Sequence, residues 1–154
     1  MYSRIASFIS SGFGSGYAPQ APGTFGTVAA ALAWLGMSWA GALSSLETQS
    51  VCAVLTIIVG TLAIRLSLNG ESAKDPQWIV IDEWAGLFVA LIGVDARIFS
   101  QVVLAFVLFR IFDISKLGPI RAAERLPGAV GIMADDIVAG MCALLGMIVV
   151  RYIV

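Results

Sequence analysis

Two pairs of adjacent carboxylates stand in apolar surroundings in this 154-residue chain. Asp82-Glu83 lies in Ile79-Val80-Ile81-Asp82-Glu83-Trp84-Ala85-Gly86, and Asp135-Asp136 lies in Gly131-Ile132-Met133-Ala134-Asp135-Asp136-Ile137-Val138-Ala139-Gly140. Overlaying Asp82 on Asp136 brings Ala85 onto Ala139 and Gly86 onto Gly140. Each aspartate therefore has a glycine four residues on, one helical turn away on the same face. A glycine there removes bulk and lets a neighbouring helix approach the carboxylate. A carboxylate at the centre of a bilayer costs about 2.5–3.5 kcal/mol, so two such pairs require a compensating partner. A shared divalent cation is the leading one: Mg²⁺ takes one or two carboxylates plus waters and phosphate oxygens. Asp82, Glu83, Asp135 and Asp136 suffice for one magnesium, or for two. The alternative is helix capping, because aspartate is favoured at a helix N-terminus and suits the positive end of the dipole.

The cations near these acids follow a pattern of their own. Arg110, Asp113 and Lys116 are spaced i, i+3, i+6, close to one helical face. They form either a phosphate clamp, with the planar fork of arginine and the point charge of lysine, or an Arg110–Asp113 ion pair beside a snorkelling Lys116. Arg121 and Arg125 extend this basic face, or else they serve topology and lipid headgroups. In the loop Ala18-Pro-Gln-Ala-Pro-Gly-Thr-Phe-Gly-Thr27, Thr24 caps the following helix or the backbone N–H groups of Gly23–Thr27 bind a phosphate. GxG spacing also occurs here, but no strand precedes it and Pro19 and Pro22 interrupt it, so no dinucleotide fingerprint is expected. The chain has no histidine, which excludes a histidine base or nucleophile and a histidine-bound zinc or iron. Cys52 and Cys142 lie in apolar runs and imply no disulfide.

The elements that must position these residues are apolar helices. Hydrophobic residues make up 59% and charged residues 12%, against about 25% charged in a soluble domain, and the mean hydropathy is +0.94. The chain reads as a polytopic membrane protein of a single domain, residues 1–154. Its net charge of −1 carries no nucleic-acid footprint. The first sixteen residues do not form a secretory signal; Ser3–Ser11 is expected as a short interfacial helix. Apolar runs span Phe25–Leu46, Val51–Leu68, Trp78–Val94, Ile98–Phe112 and Ile137–Val154, with Glu47-Thr48-Gln49-Ser50 and Asp95–Arg97 as connections. The fold class is therefore all-α, a helical bundle of about four to five apolar helices. Residues 110–125 hold four of the nine Lys/Arg residues, which places that segment in the cytoplasm. Counting back through the runs brings Asn69–Glu83 and the Gly/Pro loop to the same side. All the motif regions then face the cytoplasm, consistent with one site built from several helix ends.

Taken in order, four motifs resemble the phosphatidylglycerophosphatase A family: Pro22-Gly23-Thr24-x-Gly26-Thr27; Lys74-Asp75-Pro76-Gln77 with Ile79-Val80-Ile81-Asp82-Glu83-x-Ala85-Gly86; Phe109-Arg110-x-Phe112-Asp113-x-x-Lys116; and Gly131-Ile132-Met133-x-Asp135-Asp136-x-x-Ala139-Gly140. The resemblance implies a Mg²⁺-dependent, all-helical phosphatase of the bacterial inner membrane. Its substrate would be phosphatidylglycerophosphate among the membrane lipids, and its product phosphatidylglycerol. It implies Asp82, Glu83, Asp135 and Asp136 as metal and catalytic residues. Gly23, Thr24, Thr27, Asp75, Arg110, Asp113, Lys116 and Arg121 are the corresponding substrate-binding candidates. Where the family commonly has Lys-Pro-x-Pro, this chain has Lys116-Leu117-Gly118-Pro119, so a less rigid turn is expected. A proton- or ion-coupled transporter is the alternative, since intramembrane acids in a helical bundle also mark ion pathways. Against it, the acids sit towards one face rather than at mid-run.

Overall fold

The structure is a computed structural model that describes residues 2–68 and 76–153. The motif residues Lys74 and Asp75 lie outside the described residues, as does the loop from Asn69. The described regular structure is entirely helical: α1 (Tyr2–Ser10), a 3-10 turn (Ser15–Tyr17), α2 (Pro22–Trp39), α3 (Leu46–Ser67), α4 (Ile81–Ala90), α5 (Phe99–Ser115), α6 (Pro119–Ala123) and α7 (Gly128–Ile153).

Two of these helices, α3 and α7, are long and apolar enough to cross a membrane, fewer than the four to five expected. α2 spends its first turns on Pro22, Gly23, Thr24 and Thr27, and α5 has 17 residues. α4 has only ten, about 15 Å of helix. The run beginning at Phe25 stops at Trp39, and Gly41 follows with φ 83°, a conformation that ends helices. Glu47–Ser50 is then not a connection but the first turn of α3. Ser45 caps that helix, and its hydroxyl and the side chain of Thr48 each accept the other residue's backbone N–H. At the C-terminal end, α7 starts at Gly128 and not at Ile137. Asp135 and Asp136 are thus interior helical residues, which removes the capping alternative for them.

α3 presents Val51, Val54, Leu55, Ile58, Leu62 and Leu66 outward, an apolar surface suited to lipid and not to water. α4 is its opposite. Every residue of α4 except Glu83 is buried, and the helix forms the centre of the bundle with α2, α3, α5 and α7 around it. The closest approach is between α4 and α7. A Cβ added at Gly140 would strike the carbonyl of Gly86, and one added at Gly86 would lie 2.5 Å from the carbonyl oxygen of Asp136. The two Asp-x-x-x-Gly motifs therefore pack on each other, backbone against backbone.

Both ends of this centre are fastened. At the entry to α4, the Val80 N–H donates to the Ser10 carbonyl at 2.9 Å. A Cβ at Gly26 would come within 2.6 Å of Val80 Cβ, so α2 can lie against this entry only through glycine. At the far end, the buried Gln49 amide donates to the carbonyls of Leu43 and Val94, both at 3.2 Å, and accepts from Gly93 N–H at 2.6 Å. Arg151 adds hydrogen bonds to the Gly93 carbonyl and to Gln101 Oε1.

This packing separates two glycines that look alike in sequence. Gly140→Ala must push α7 off the α4 backbone and should cost about 1–3 kcal/mol. Gly36→Ala, in α2 with nothing within 4 Å of the added Cβ, should gain about 0.5–1 kcal/mol from helix propensity. Thermal unfolding of both variants in one detergent should move the melting temperature in opposite directions.

Candidate active site

The site forms where the first turns of α2 and α4 meet the last turn of α5 and the second and third turns of α7. Asp82 and Glu83 occupy the first turn of α4. Asp136 reaches them from α7 because Gly86 and Gly140 let the two helices touch one turn further on. One carboxylate oxygen from each of Asp82, Glu83 and Asp136 lies within 4.8 Å of the others. Asp82 and Asp136 are buried, and Asp113 stands within hydrogen-bonding reach of Asp136. Glu83 Oε2 is buried without a hydrogen-bond partner, and no described Lys or Arg forms an ion pair with Glu83 or Asp136. Hard oxygen donors, gathered and under-compensated, fit a hard divalent cation such as Mg²⁺.

Asp135 points elsewhere. Its Oδ2 accepts from Lys116 Nζ at 2.7 Å, and Lys116 also donates to Glu124 at 2.9 Å. Among the four acids singled out from sequence, the structure brings three together and gives the fourth to a lysine. Burial pulls the Lys116 ammonium down, but its hydrogen bonds to Asp135 and Glu124 outweigh this, and its pKa stands above the ordinary lysine value. Lys116 ends α5 in the left-handed region, with φ 44°, a conformation that a non-glycine residue adopts at a cost. The two carboxylates on its side chain offset that cost. Gly118, at φ 45°, supplies the bend in the turn after Lys116, where the family commonly has Lys-Pro-x-Pro.

Arg110 closes the other side. Its Nη1 is 2.5 Å from Asp113 Oδ2, so the expected i, i+3 ion pair is present. The same nitrogen donates to Thr27 Oγ1 at 3.3 Å, and Nη2 donates to Thr24 Oγ1 at 3.4 Å. Thr27 in turn donates to the Gly23 carbonyl at 2.7 Å. Thr24 does not cap α2: Ala21 holds the cap position with φ 46°, and Pro22 opens the helix. The N–H groups of Thr24 and Phe25 turn back onto the Ala21 carbonyl at 2.9 and 3.2 Å, so two of the five amides expected to cradle a phosphate are already occupied. Gly23 matters for space instead, because a Cβ there would strike Glu83 Oε1.

Arg121 is exposed on α6 and stays outside the carboxylate cluster. Glu124, the second acceptor of Lys116, is the contributor that sequence reasoning missed. It lies eight residues away across an irregular turn, and no helical spacing announces it.

Comparison with known proteins bears on this arrangement. The family described as Phosphatidylglycerophosphatase A matches residues 8–151. A protein of Bacteroides thetaiotaomicron named "Putative phosphatidylinositol-3-phosphatase" is 36% identical over 149 residues, covering 95% of this chain and 93% of its own. Phosphatidylglycerophosphatase A of Escherichia coli is 36% identical over 84% of this chain and 74% of its own. The protein of the same name from Haemophilus influenzae is 32% identical over 92% and 85%. No solved structure matches. The family match spans all four elements that build the carboxylate cluster, and on it the chain belongs to the phosphatidylglycerophosphatase A family.

Proposed function

We propose that this protein removes the terminal phosphate of phosphatidylglycerophosphate to give phosphatidylglycerol, with Mg²⁺ held by Asp82, Glu83 and Asp136. The observation that carries this reading is the three-carboxylate cluster within 4.8 Å, set beside the Arg110 guanidinium. The names of the Escherichia coli and Haemophilus influenzae relatives supply the substrate. When bound, the cation would neutralise phosphate charge and acidify a bound water. The protein's own groups do the rest. Arg110 offers its fork to the phosphate oxygens while Asp113, Thr24 and Thr27 hold its plane in place. Gly23 leaves room for the Glu83 carboxylate against the first turn of α2. Asp135 acts through Lys116, anchoring the end of α5 against α7.

The positive-inside asymmetry of residues 110–125 orients the site towards the cytoplasm, which fits a multi-pass protein of the bacterial inner membrane acting on newly made lipid. The transporter alternative has no support among the relatives, and the acids gather in one cluster beside an arginine rather than along a path through the bundle.

Asp82→Asn and Asp136→Asn should each lower kcat by more than about a hundredfold, the loss seen when even the outer partners of a metal site are disturbed. Both should also weaken Mn²⁺ binding as read by electron paramagnetic resonance, whereas Asp135→Asn should retain the Mn²⁺ signal. EDTA should abolish phosphate release and Mg²⁺ restore it. Unchanged Mn²⁺ binding in Asp82→Asn and Asp136→Asn would overturn the metal assignment.

Arg110→Lys keeps the charge but loses the bidentate fork. A charge-assisted hydrogen bond contributes roughly 1.5–3 kcal/mol, so kcat/KM should fall by about one to two decades, with a melting temperature close to wild type. A variant that melts much earlier yet turns over normally once folded would make Arg110 a structural residue.

A further inference from the structure

Beside the carboxylate cluster lies a second pocket of about 320 Å³, lined by Lys116, Leu117, Gly118, Arg121, Ala122 and Arg125. Lys116 is already engaged by Asp135 and Glu124. Arg121 and Arg125 are exposed, and among the described residues neither has a carboxylate partner. The pocket adjoins the cluster through α7: Asp135 holds the lysine on its wall, and the next residue, Asp136, belongs to the cluster. Leu117 on its wall, and Ile114, Leu126 and Val130 close by in sequence, are exposed apolar side chains.

We infer that Arg121 and Arg125 form a second anion site that takes the phosphodiester of the substrate lipid while the carboxylate cluster faces its terminal phosphate. This rests on the function proposed above. The chemistry of the lipid requires such a pair. The phosphodiester joins the headgroup to diacylglycerol, so it must sit between the reacting phosphate and the acyl chains, and this pocket adjoins the cluster through Lys116 and Asp135. Its negative charge would otherwise stand beside Asp113, Glu124, Asp135 and Asp136. Two unpaired guanidiniums offset that repulsion and bind phosphate oxygens through paired N–H donors. Both lipids named among the relatives, a phosphatidylglycerophosphate and a phosphatidylinositol-3-phosphate, carry a phosphomonoester and a phosphodiester on one headgroup. Phosphatidic acid carries the monoester alone, so the same two arginines would set specificity against it.

The test compares wild type with the double variant Arg121→Gln/Arg125→Gln in one non-ionic detergent with Mg²⁺ present. The substrates are deacylated phosphatidylglycerophosphate, which has both phosphate groups, and glycerol 3-phosphate, which has only the monoester. The ratio of their kcat/KM values should fall about tenfold in the variant, the equivalent of one charge-assisted hydrogen bond. The change should appear in KM, and Arg121→Lys/Arg125→Lys should restore most of it. A loss of stability alone would lower both rates together and leave the ratio where it was. An unchanged ratio overturns the inference while the proposed function stands. A defect seen only with whole lipid in anionic vesicles, and absent in neutral ones, also overturns it, because the arginines would then serve neighbouring headgroups. A wild type that releases phosphate from phosphatidylglycerophosphate in neither form overturns the proposed function. The same ratio measured on deacylated phosphatidylinositol-3-phosphate then decides the anion site separately.

Discussion

The contact between Gly86 and Gly140 is the constraint on which the rest depends. Backbones of two helices meet there with no side chain between them. One turn back on each helix stands an aspartate, and the close crossing holds Asp82 and Asp136 in one cluster. Any side chain at the crossing would widen the gap and draw the carboxylates apart. Phe109 packs against the same point from α5, so the helix that carries Arg110 and Asp113 is indexed to the crossing as well. Three helices thus share a reference point, and their polar residues one turn away fall into register.

The electrostatics of the cluster then follow. Asp113, Asp136 and Glu83 crowd together, and among the described residues the guanidinium beside them, that of Arg110, is committed to Asp113. Bringing like charges together out of water costs several kcal/mol per ion without compensation. The bundle does not relieve this by packing apolar groups around the acids. It keeps them together instead, with only a glycine of α2 against Glu83 and two threonines hydrogen-bonded to the arginine. Such an arrangement sacrifices stability to hold the carboxylates together, as the proposed cation site requires.

Much of this was legible in the sequence, for physical reasons. The Asp-x-x-x-Gly echo encodes a helical face, so the glycine contact and the meeting of Asp82 with Asp136 could be anticipated. The i, i+3 spacing of Arg110 and Asp113 likewise encodes their ion pair. Helix ends were harder. Run one merged with the start of α3 because Leu43 and Leu46 continue the apolar pattern across a glycine turn, and α7 was begun late because Asp135 and Asp136 look like a polar boundary. Hydropathy cannot distinguish an acid that faces a cluster from one that ends a helix. The partner of Asp135 was illegible for a related reason. Lys116 reaches it across a left-handed turn and a short helix, contacts set by tertiary packing and not by any local period. The length of α4 was also hidden: Trp78–Val94 reads as a span, but the segment before Ile81 is a turn, with Ile79 N–H bonded to the Pro76 carbonyl and Val80 N–H tied to α1.

That short α4 bears on how the chain enters a bilayer. About twenty apolar residues are needed to cross the hydrocarbon, and ten residues carrying two carboxylates cannot partition into lipid alone. α3 has a lipid-ready surface and can insert as soon as it is made. α4 must remain near the interface until α7, which follows it in the chain, supplies the Gly140 backbone against which Gly86 packs. The order of assembly follows from these lengths: α3 can enter first, and α4, which bears two of the three clustered carboxylates, packs in only once α7 is there to receive it.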